Sequence, residues 1–217
     1  MMIARRGVLA GGAALTAVKP RQGRAVEVPA ELRFDVMRNG SRVGQHGIRF
    51  RQEANTLTAF ISVEIVVRLG PIPVFRYNHA VREVWRDGQF QSLDSETNED
   101  GTRFRVNAVR AAEGVIVESP AAARAVMPPM AIPLTHWNNL CMERPLFNPQ
   151  DGVPITSRVV AYGEDRVALA DGRMIQATRY ALVGKVALEN WYDTARLWTA
   201  LRSRGTDGSM IEYRRSV

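Results

Sequence analysis

The segment Y-N-H-A-V-R-E-V-W, residues 77–85, combines side chains that can exchange protons or hold a ligand. In a β-strand, alternation places on one face Tyr77, His79, Val81, Glu83 and Trp85. A strand that only packs a core would carry Val and Ile at such positions. His79 and Glu83 lie about 13 Å apart along one strand at ~3.3 Å per residue, too far for a direct hydrogen bond. They can instead line one cavity and reach a shared ligand.

The other two histidines also stand at suggestive positions. His46 shares its strand face with Ile48 and Phe50 and is expected to face the core, and His136 precedes Trp137 in a proline-rich segment. Three His and one Glu could bind a metal ion. Their spacing is not that of ligands on one helix or hairpin, so we predict neither a metal nor another cofactor. The alternative is that each His is an interior group with a satisfied hydrogen bond.

The candidate ligand-binding residues are therefore polar and aromatic side chains from strands and from the proline-rich segment: Tyr77, His79, Glu83, Trp85, His46, Trp137 and Asn138. The sequence contains no G-x-S-x-G, H-E-x-x-H, C-x-x-C or Walker motif. We predict no catalytic residues. A hydrolase that uses Glu83 and His79 as acid and base remains the enzymatic alternative.

Alternating apolar residues predict the elements that position these side chains. Residues 57–67 alternate strictly, which is typical of a long strand with one buried face. Asn-Gly or Asp-Gly pairs at 39–40, 87–88, 100–101, 171–172 and 207–208 suit tight hairpins, because these residues accept positive φ. The sequence therefore predicts a single-domain, all-β antiparallel meander over residues 26–217, forming a curled sheet or a barrel.

Residues 120–150 break this pattern. The segment contains six of the eleven prolines and no alternation, so it is expected to cross between two β halves and to plug or cover one end of the barrel. We predict a short helix over residues 134–143, capped by Thr135.

The first 25 residues resemble an export signal. A basic start with Arg5 and Arg6 precedes a short Gly/Ala-rich apolar run, and a small residue, Ala25, marks a plausible cleavage point. The adjacent arginines favour the twin-arginine route, with an ordinary export signal as the alternative. The sequence thus predicts a periplasmic protein whose signal peptide is removed and whose mature chain has no transmembrane segment.

Charge and cysteine content exclude other classes. Without the five basic residues of positions 1–25, the formal charge falls from +7 to +2, and no basic stripe with interleaved aromatics remains, so we predict no nucleic-acid partner. Cys141 is the only cysteine, so the chain has no internal disulfide, and Cys141 is either a buried small side chain or a free thiol.

Several motifs together resemble a family of exported bacterial β-rich proteins catalogued as domain of unknown function 6134, over residues 30–216. They are Gly44-x-His46, Tyr77-x-His79-x-x-x-Glu83-x-Trp85-x-Asp87-Gly88, Thr97-Asn98 with Gly101, Trp137-Asn138, Trp191-Tyr192-Asp193 and Asp207-Gly208-Ser209-x-Ile211-x-Tyr213. Where the family has Tyr before the central Trp, this chain has His136, which weakens a metal role there. The resemblance implies export and a lipocalin-like or lipoprotein-carrier-like curled sheet, and it implies no activity.

Three functions follow from these expectations. The first is a non-enzymatic periplasmic protein that binds an apolar or amphipathic small ligand, lipid-like or otherwise, in a barrel cavity. The second is a structural or assembly protein of the cell envelope with a packed core and a protein partner. The third is a hydrolase that uses Glu83 and His79 as acid and base.

Overall fold

The computed structural model describes residues 28–216, and the predicted signal peptide at 1–25 lies outside them. The described chain is all-β. The first half contributes β1 (Glu31–Arg38), β2 (Ser41–Glu53), β3 (Thr56–Leu69), β4 (Ile72–Arg86), β5 (Gln89–Glu99), β6 (Thr102–Arg110), β7 (Val115–Ser119) and β8 (Ala122–Met127). Then follow β9 (Ile132–Pro133), a 3-10 helix (Asn139–Met142), β10 (Leu146–Phe147), β11 (Pro154–Ile155), β12 (Ser157–Ala168), β13 (Met174–Gly184), β14 (Leu188–Asp193), β15 (Trp198–Arg204) and β16 (Met210–Arg215).

Thirteen of the strands form one curled antiparallel sheet. Its order is β12-β13-β14-β15-β16-β1-β2-β3-β4-β5-β6-β7-β8. The last strand pairs with the first, Val36 opposite Tyr213, and this pairing joins the two meanders into one sheet. Strands β12 and β8 are its two ends. The predicted antiparallel meander is therefore confirmed, and none of the described helices is long and apolar enough to span a membrane.

Three of the predicted hairpin turns have the expected backbone. Asn39-Gly40, Asp87-Gly88 and Asp100-Gly101 have positive φ at both residues, as a two-residue hairpin loop requires. At Asp171-Gly172 and Asp207-Gly208 only the glycine has positive φ.

Three details differ from the sequence prediction. Residues 122–127 form strand β8, so the crossing segment begins later, and we define it as residues 128–156. Alternation predicts two strands in this region, at residues 154–162 and 165–170, but residues 157–168 form one strand with a bulge between Ala161 and Gly163. The helix is shorter than predicted, and its cap is Asn138, whose side chain accepts a hydrogen bond from the Leu140 N–H, rather than Thr135. Asn138 rather than Thr135 forms the cap because Asn138 immediately precedes the helical turn.

The crossing segment packs against the apolar face of the curled sheet. The Trp137 ring lies 5.5 Å from that of Trp85 in β4, and the Phe147 ring lies 6.0 Å from that of Phe90 in β5. Cys141 is fully buried, with its Sγ 3.4 Å from the Tyr192 hydroxyl in β14. The segment thus touches strands of both halves and forms part of the core, which goes beyond the plug or cover expected from the sequence.

Gly44 lets β2 approach β3 closely, two residues before His46. A Cβ at Gly44 would lie 2.0 Å from the carbonyl oxygen of Glu64. Only glycine fits this approach, since the obstructing atom belongs to the backbone. The close contact sets the position of β2, and with it the position of His46 on the interior face.

Candidate functional site

A cavity of about 100 Å³ lies between the crossing segment and the apolar face of the sheet. Its polar lining contains all three histidines of the chain together with a carboxyl and two phenols: His46, His79, His136, Glu83, Tyr77 and Tyr213. Its apolar lining includes Ile48, Ile61, Val63 and Val81. Strands β2, β3, β4 and β16 therefore bring polar and apolar side chains around one enclosed space.

The face of β4 that carries Tyr77, His79 and Glu83 points toward this cavity, as the alternation of its sequence predicts. Tyr77, His79 and Glu83 are all buried and all line the cavity. His79 Nδ1 forms a 2.8 Å hydrogen bond with Thr97 Oγ1 on β5, which holds the imidazole in one orientation. Burial lowers the pKa of His79 to about 4, so this imidazole is neutral at pH 7.

Glu83 is held by two indoles. The Nε1–H groups of Trp85 and Trp137 donate to the same carboxylate oxygen, Oε2, at 3.0 and 3.1 Å. Burial disfavours the charged form more than these bonds favour it, and the pKa of Glu83 rises to about 7. Glu83 therefore changes protonation near neutral pH, which suits a group that binds a ligand or transfers a proton.

His46 and His136 both pack against Trp198. The His136 ring stacks on the Trp198 ring at 5.1 Å between centroids, and the His46 ring lies edge-on to it, also at 5.1 Å. Burial lowers the pKa of His136 to about 4 and that of His46 well below its ordinary value. Within residues 28–216, both ring nitrogens of His46 and Nδ1 of His136 are buried without a hydrogen-bond partner.

This arrangement suits hydrogen bonding better than metal coordination. A neutral imidazole offers one donor and one acceptor, and three of them line the same cavity as a carboxyl group whose charge depends on pH. In the part of the chain that the structure describes, no three His, Cys, Asp or Glu side chains lie close enough to bind one metal ion. The cavity can therefore hold a small molecule that carries both polar and apolar groups.

The structure brings together five of the seven residues predicted from sequence. Tyr77, His79, Glu83, His46 and Trp137 line the cavity. Trp85 is not among the lining residues; its indole N–H group donates to the Glu83 carboxylate and orients it. Asn138 caps the 3-10 helix outside the cavity.

Sequence reasoning missed other lining residues, among them Thr135, His136, Gln150 and Tyr213. His136 was visible as a histidine beside Trp137, but nothing in the sequence placed the crossing segment against the histidines of β2 and β4. Tyr213 belongs to the last strand, β16. Alternation alone does not reveal that β16 pairs with β1.

The comparison with protein families settles the relationship of this chain. A family model described as "Domain of unknown function (DUF6134)" matches residues 34–216. The chain belongs to this family. The match covers every residue of the cavity lining and confirms the resemblance drawn from the sequence motifs.

A solved structure shares the fold of this DUF6134 protein. It is a crystal structure of a β-barrel-like protein of another domain of unknown function, DUF1849, from Brucella abortus. The TM-score is 0.59 at 11% sequence identity, over 86% of this chain and 94% of that one. At this identity the similarity supports the β-barrel-like fold alone. No curated protein gives a significant match to the DUF6134 chain.

Proposed function

We propose that this protein is a non-enzymatic binding protein that holds a small amphipathic molecule in the interior cavity. The observation that carries the proposal is the set of buried ring nitrogens on His46 and His136 that lack partners among the described residues. Interiors that serve only packing satisfy such groups, because leaving one unpaired costs about 1–3 kcal/mol. A ligand that both donates and accepts hydrogen bonds would satisfy them, because a neutral imidazole has one N–H donor and one acceptor nitrogen.

The size and lining of the cavity favour one chemical class. About 100 Å³ holds a few water molecules, each occupying about 30 Å³, or one molecule of a few non-hydrogen atoms. Drug-sized ligands occupy about 300–1,000 Å³, so a lipid chain would enter only if the crossing segment moved. Glu83 and the imidazoles accept hydrogen bonds, while Ile48 and Ile61 offer apolar contact. We therefore favour a short-chain alcohol or amine.

Mass spectrometry and substitutions test this proposal. We expect native mass spectrometry of the protein purified after export to show a stoichiometric small adduct, with organic extraction naming it. We expect His79→Ala and Glu83→Ala to lower its retention by about tenfold or more, since each removes a polar contact of about 1.5–3 kcal/mol. Leu182→Ala is the matched control, because Leu182 is buried in β13 outside the cavity lining, and its loss destabilises the fold without removing a lining residue.

Two results would contradict the proposal. One is a clean apo mass for the parent protein. The other is a lower melting temperature of the His79→Ala and Glu83→Ala proteins with unchanged retention of the adduct, which would make the polar cluster structural.

One observation favours the alternative function, an envelope assembly protein. Strand β12 lies at one end of the sheet and pairs with a described strand of that sheet on one side only. This end strand is twelve residues long and mostly exposed, with Tyr162 at its surface. An exposed edge strand can pair with a strand of another protein. A clean apo mass together with a co-purifying envelope protein would favour this function.

We further propose that the protein acts in the periplasm, on the basis of the export-signal pattern in residues 1–25. We expect Arg5→Lys with Arg6→Lys to abolish export through the twin-arginine route and to leave the precursor in the cytoplasm. Cell fractionation measures this, with Arg21→Lys and Arg24→Lys as the matched control. Normal export of the Arg5/Arg6 variant would indicate the ordinary secretory route.

A further inference from the structure

The end of the β3–β4 hairpin pairs with neither neighbouring strand. Strand β2 pairs with β3 only up to Ile65, and β5 pairs with β4 only from Tyr77 onward. Residues 66–76 therefore form a two-stranded tip, which we call the hairpin tip. Its four β3 residues beyond Ile65 extend for about 14 Å at ~3.4 Å per residue without pairing to β2.

The hairpin tip is apolar where it is most exposed. Leu69, Ile72 and Val74 have 74%, 62% and 52% of their surface exposed. Pro71 stands between Leu69 and Ile72, and residues 66–76 contain no acidic side chain. Large apolar side chains grouped at one exposed point of a protein mark an interaction site more often than single scattered ones do.

Part of the backbone of the hairpin tip is satisfied within the tip. Pro71 and Pro73 lack the N–H group that would otherwise need a partner. The Pro71 carbonyl accepts a 3.1 Å hydrogen bond from Arg68 Nη1, and Leu69 pairs with Ile72 across the turn. The outward-facing N–H and C=O groups of both strands have no ladder partners in a described neighbouring strand, so the tip suits the hydrated headgroup boundary and not the hydrocarbon core.

The charges around the hairpin tip complement an anionic surface. Arg68 and Arg76 flank the apolar residues on the two strands, and both are exposed. The nearest acidic residues, Glu64, Glu99 and Asp100, lie at the base of the tip, where the Asp100 N–H donates to the Arg76 carbonyl. Apolar residues at the end with arginines behind them match the order of acyl chains and phosphate headgroups in a leaflet.

We propose that the hairpin tip inserts into a lipid surface that carries anionic headgroups. Leu69, Ile72 and Val74 enter the boundary between headgroups and acyl chains, while Arg68 and Arg76 contact phosphates. A protein partner fits less well, because a stable protein interface buries about 800 Å² on each side, whereas this tip is only two strands wide. The proposal does not depend on the interior cavity.

Vesicle binding by the full chain tests this proposal. The probe is vesicles of phosphatidylethanolamine and phosphatidylglycerol, with phosphatidylcholine vesicles as the uncharged comparison. We expect Leu69→Ser with Ile72→Ser to weaken binding at least about tenfold, since two apolar side chains no longer leave water. We expect Arg68→Gln with Arg76→Gln to weaken binding to the anionic vesicles about tenfold and to change binding to phosphatidylcholine little.

The control is Val109→Ser with Val183→Ser, which removes two exposed apolar side chains from β6 and β13 without changing the charge. All variants carry the same N-terminal segment, so its own affinity for lipid cancels in the comparison. Equal vesicle binding by the parent and the Leu69/Ile72 variant would overturn the proposal. The proposal would also be overturned if the parent protein did not bind vesicles but formed a complex with an envelope protein, and if the Leu69/Ile72 substitutions abolished that complex.

Discussion

Lowering the pH from 7 to 5 is expected to destabilise the fold by at least about 2 kcal/mol, because three buried histidines must be neutral in the folded state and one buried carboxyl offsets only part of that effect. A histidine whose pKa falls on folding binds fewer protons when folded, so the unfolded state gains as the pH drops below about 6.5. For His79 and His136, with a folded pKa of about 4, this gain is about 2 kcal/mol each over that range. His46 acts in the same direction.

Glu83 opposes the histidines. Its pKa rises on folding to about 7, so the folded state binds this proton more tightly than the unfolded chain and gains stability as the pH falls. The gain is about 2 kcal/mol between pH 7 and pH 5. The two phenols that face the same cavity, Tyr77 and Tyr213, have a raised pKa and stay neutral throughout this range.

Two substitutions are therefore expected to change the acid sensitivity in opposite directions. His79→Asn keeps a polar atom near Thr97 and removes the titration, and it should reduce the loss by about 2 kcal/mol. Glu83→Gln keeps an oxygen for the two indoles and removes the compensation, and it should increase the loss by about 2 kcal/mol. Urea unfolding of the three proteins at both pH values measures the difference. Equal losses in all three would show that the cavity does not govern the response to acid.

Most of the fold could be predicted from the sequence, because turn residues and alternating apolar residues define its strands locally. Asn39-Gly40 and Asp87-Gly88 adopt the positive φ that their turns require, and the alternating residues 57–67 lie within one strand, β3. Alternation in β4 placed Tyr77, His79 and Glu83 on one buried face. In each case the information lies within a few neighbouring residues.

The rest depends on contacts between distant parts of the chain. Strand β8 is Ala-rich and mostly exposed, so its sequence carries little alternation. His136 reaches Trp198 only because residues 128–156 pack against the sheet, and Tyr213 reaches the cavity only because β16 pairs with β1. No local pattern encodes these contacts, and they complete the candidate site.

Trp137→Ala is expected to lower the free energy of unfolding by about 3–5 kcal/mol, the usual cost of removing a buried tryptophan. Trp137 is buried, its ring lies 5.0 Å from Phe50 and 5.5 Å from Trp85, and its N–H group donates to Glu83. Denaturant unfolding at pH 7 measures the loss. Met130→Ala is the matched control in the same segment, and because Met130 is exposed it should cost no more than about 0.5 kcal/mol.

Trp137→Phe separates packing from hydrogen bonding. Phenylalanine keeps most of the ring contacts with Phe50 and Trp85 but removes the donor to Glu83, so we expect a loss of only about 1–2 kcal/mol. Removing that donor also withdraws a bond that favours the carboxylate, so the pKa of Glu83 should rise further, which NMR titration of its carboxyl carbon detects. If Trp137→Ala costs no more than Met130→Ala, the crossing segment is only loosely attached to the sheet. The cavity would then open readily, and a larger ligand than a short-chain alcohol or amine could enter.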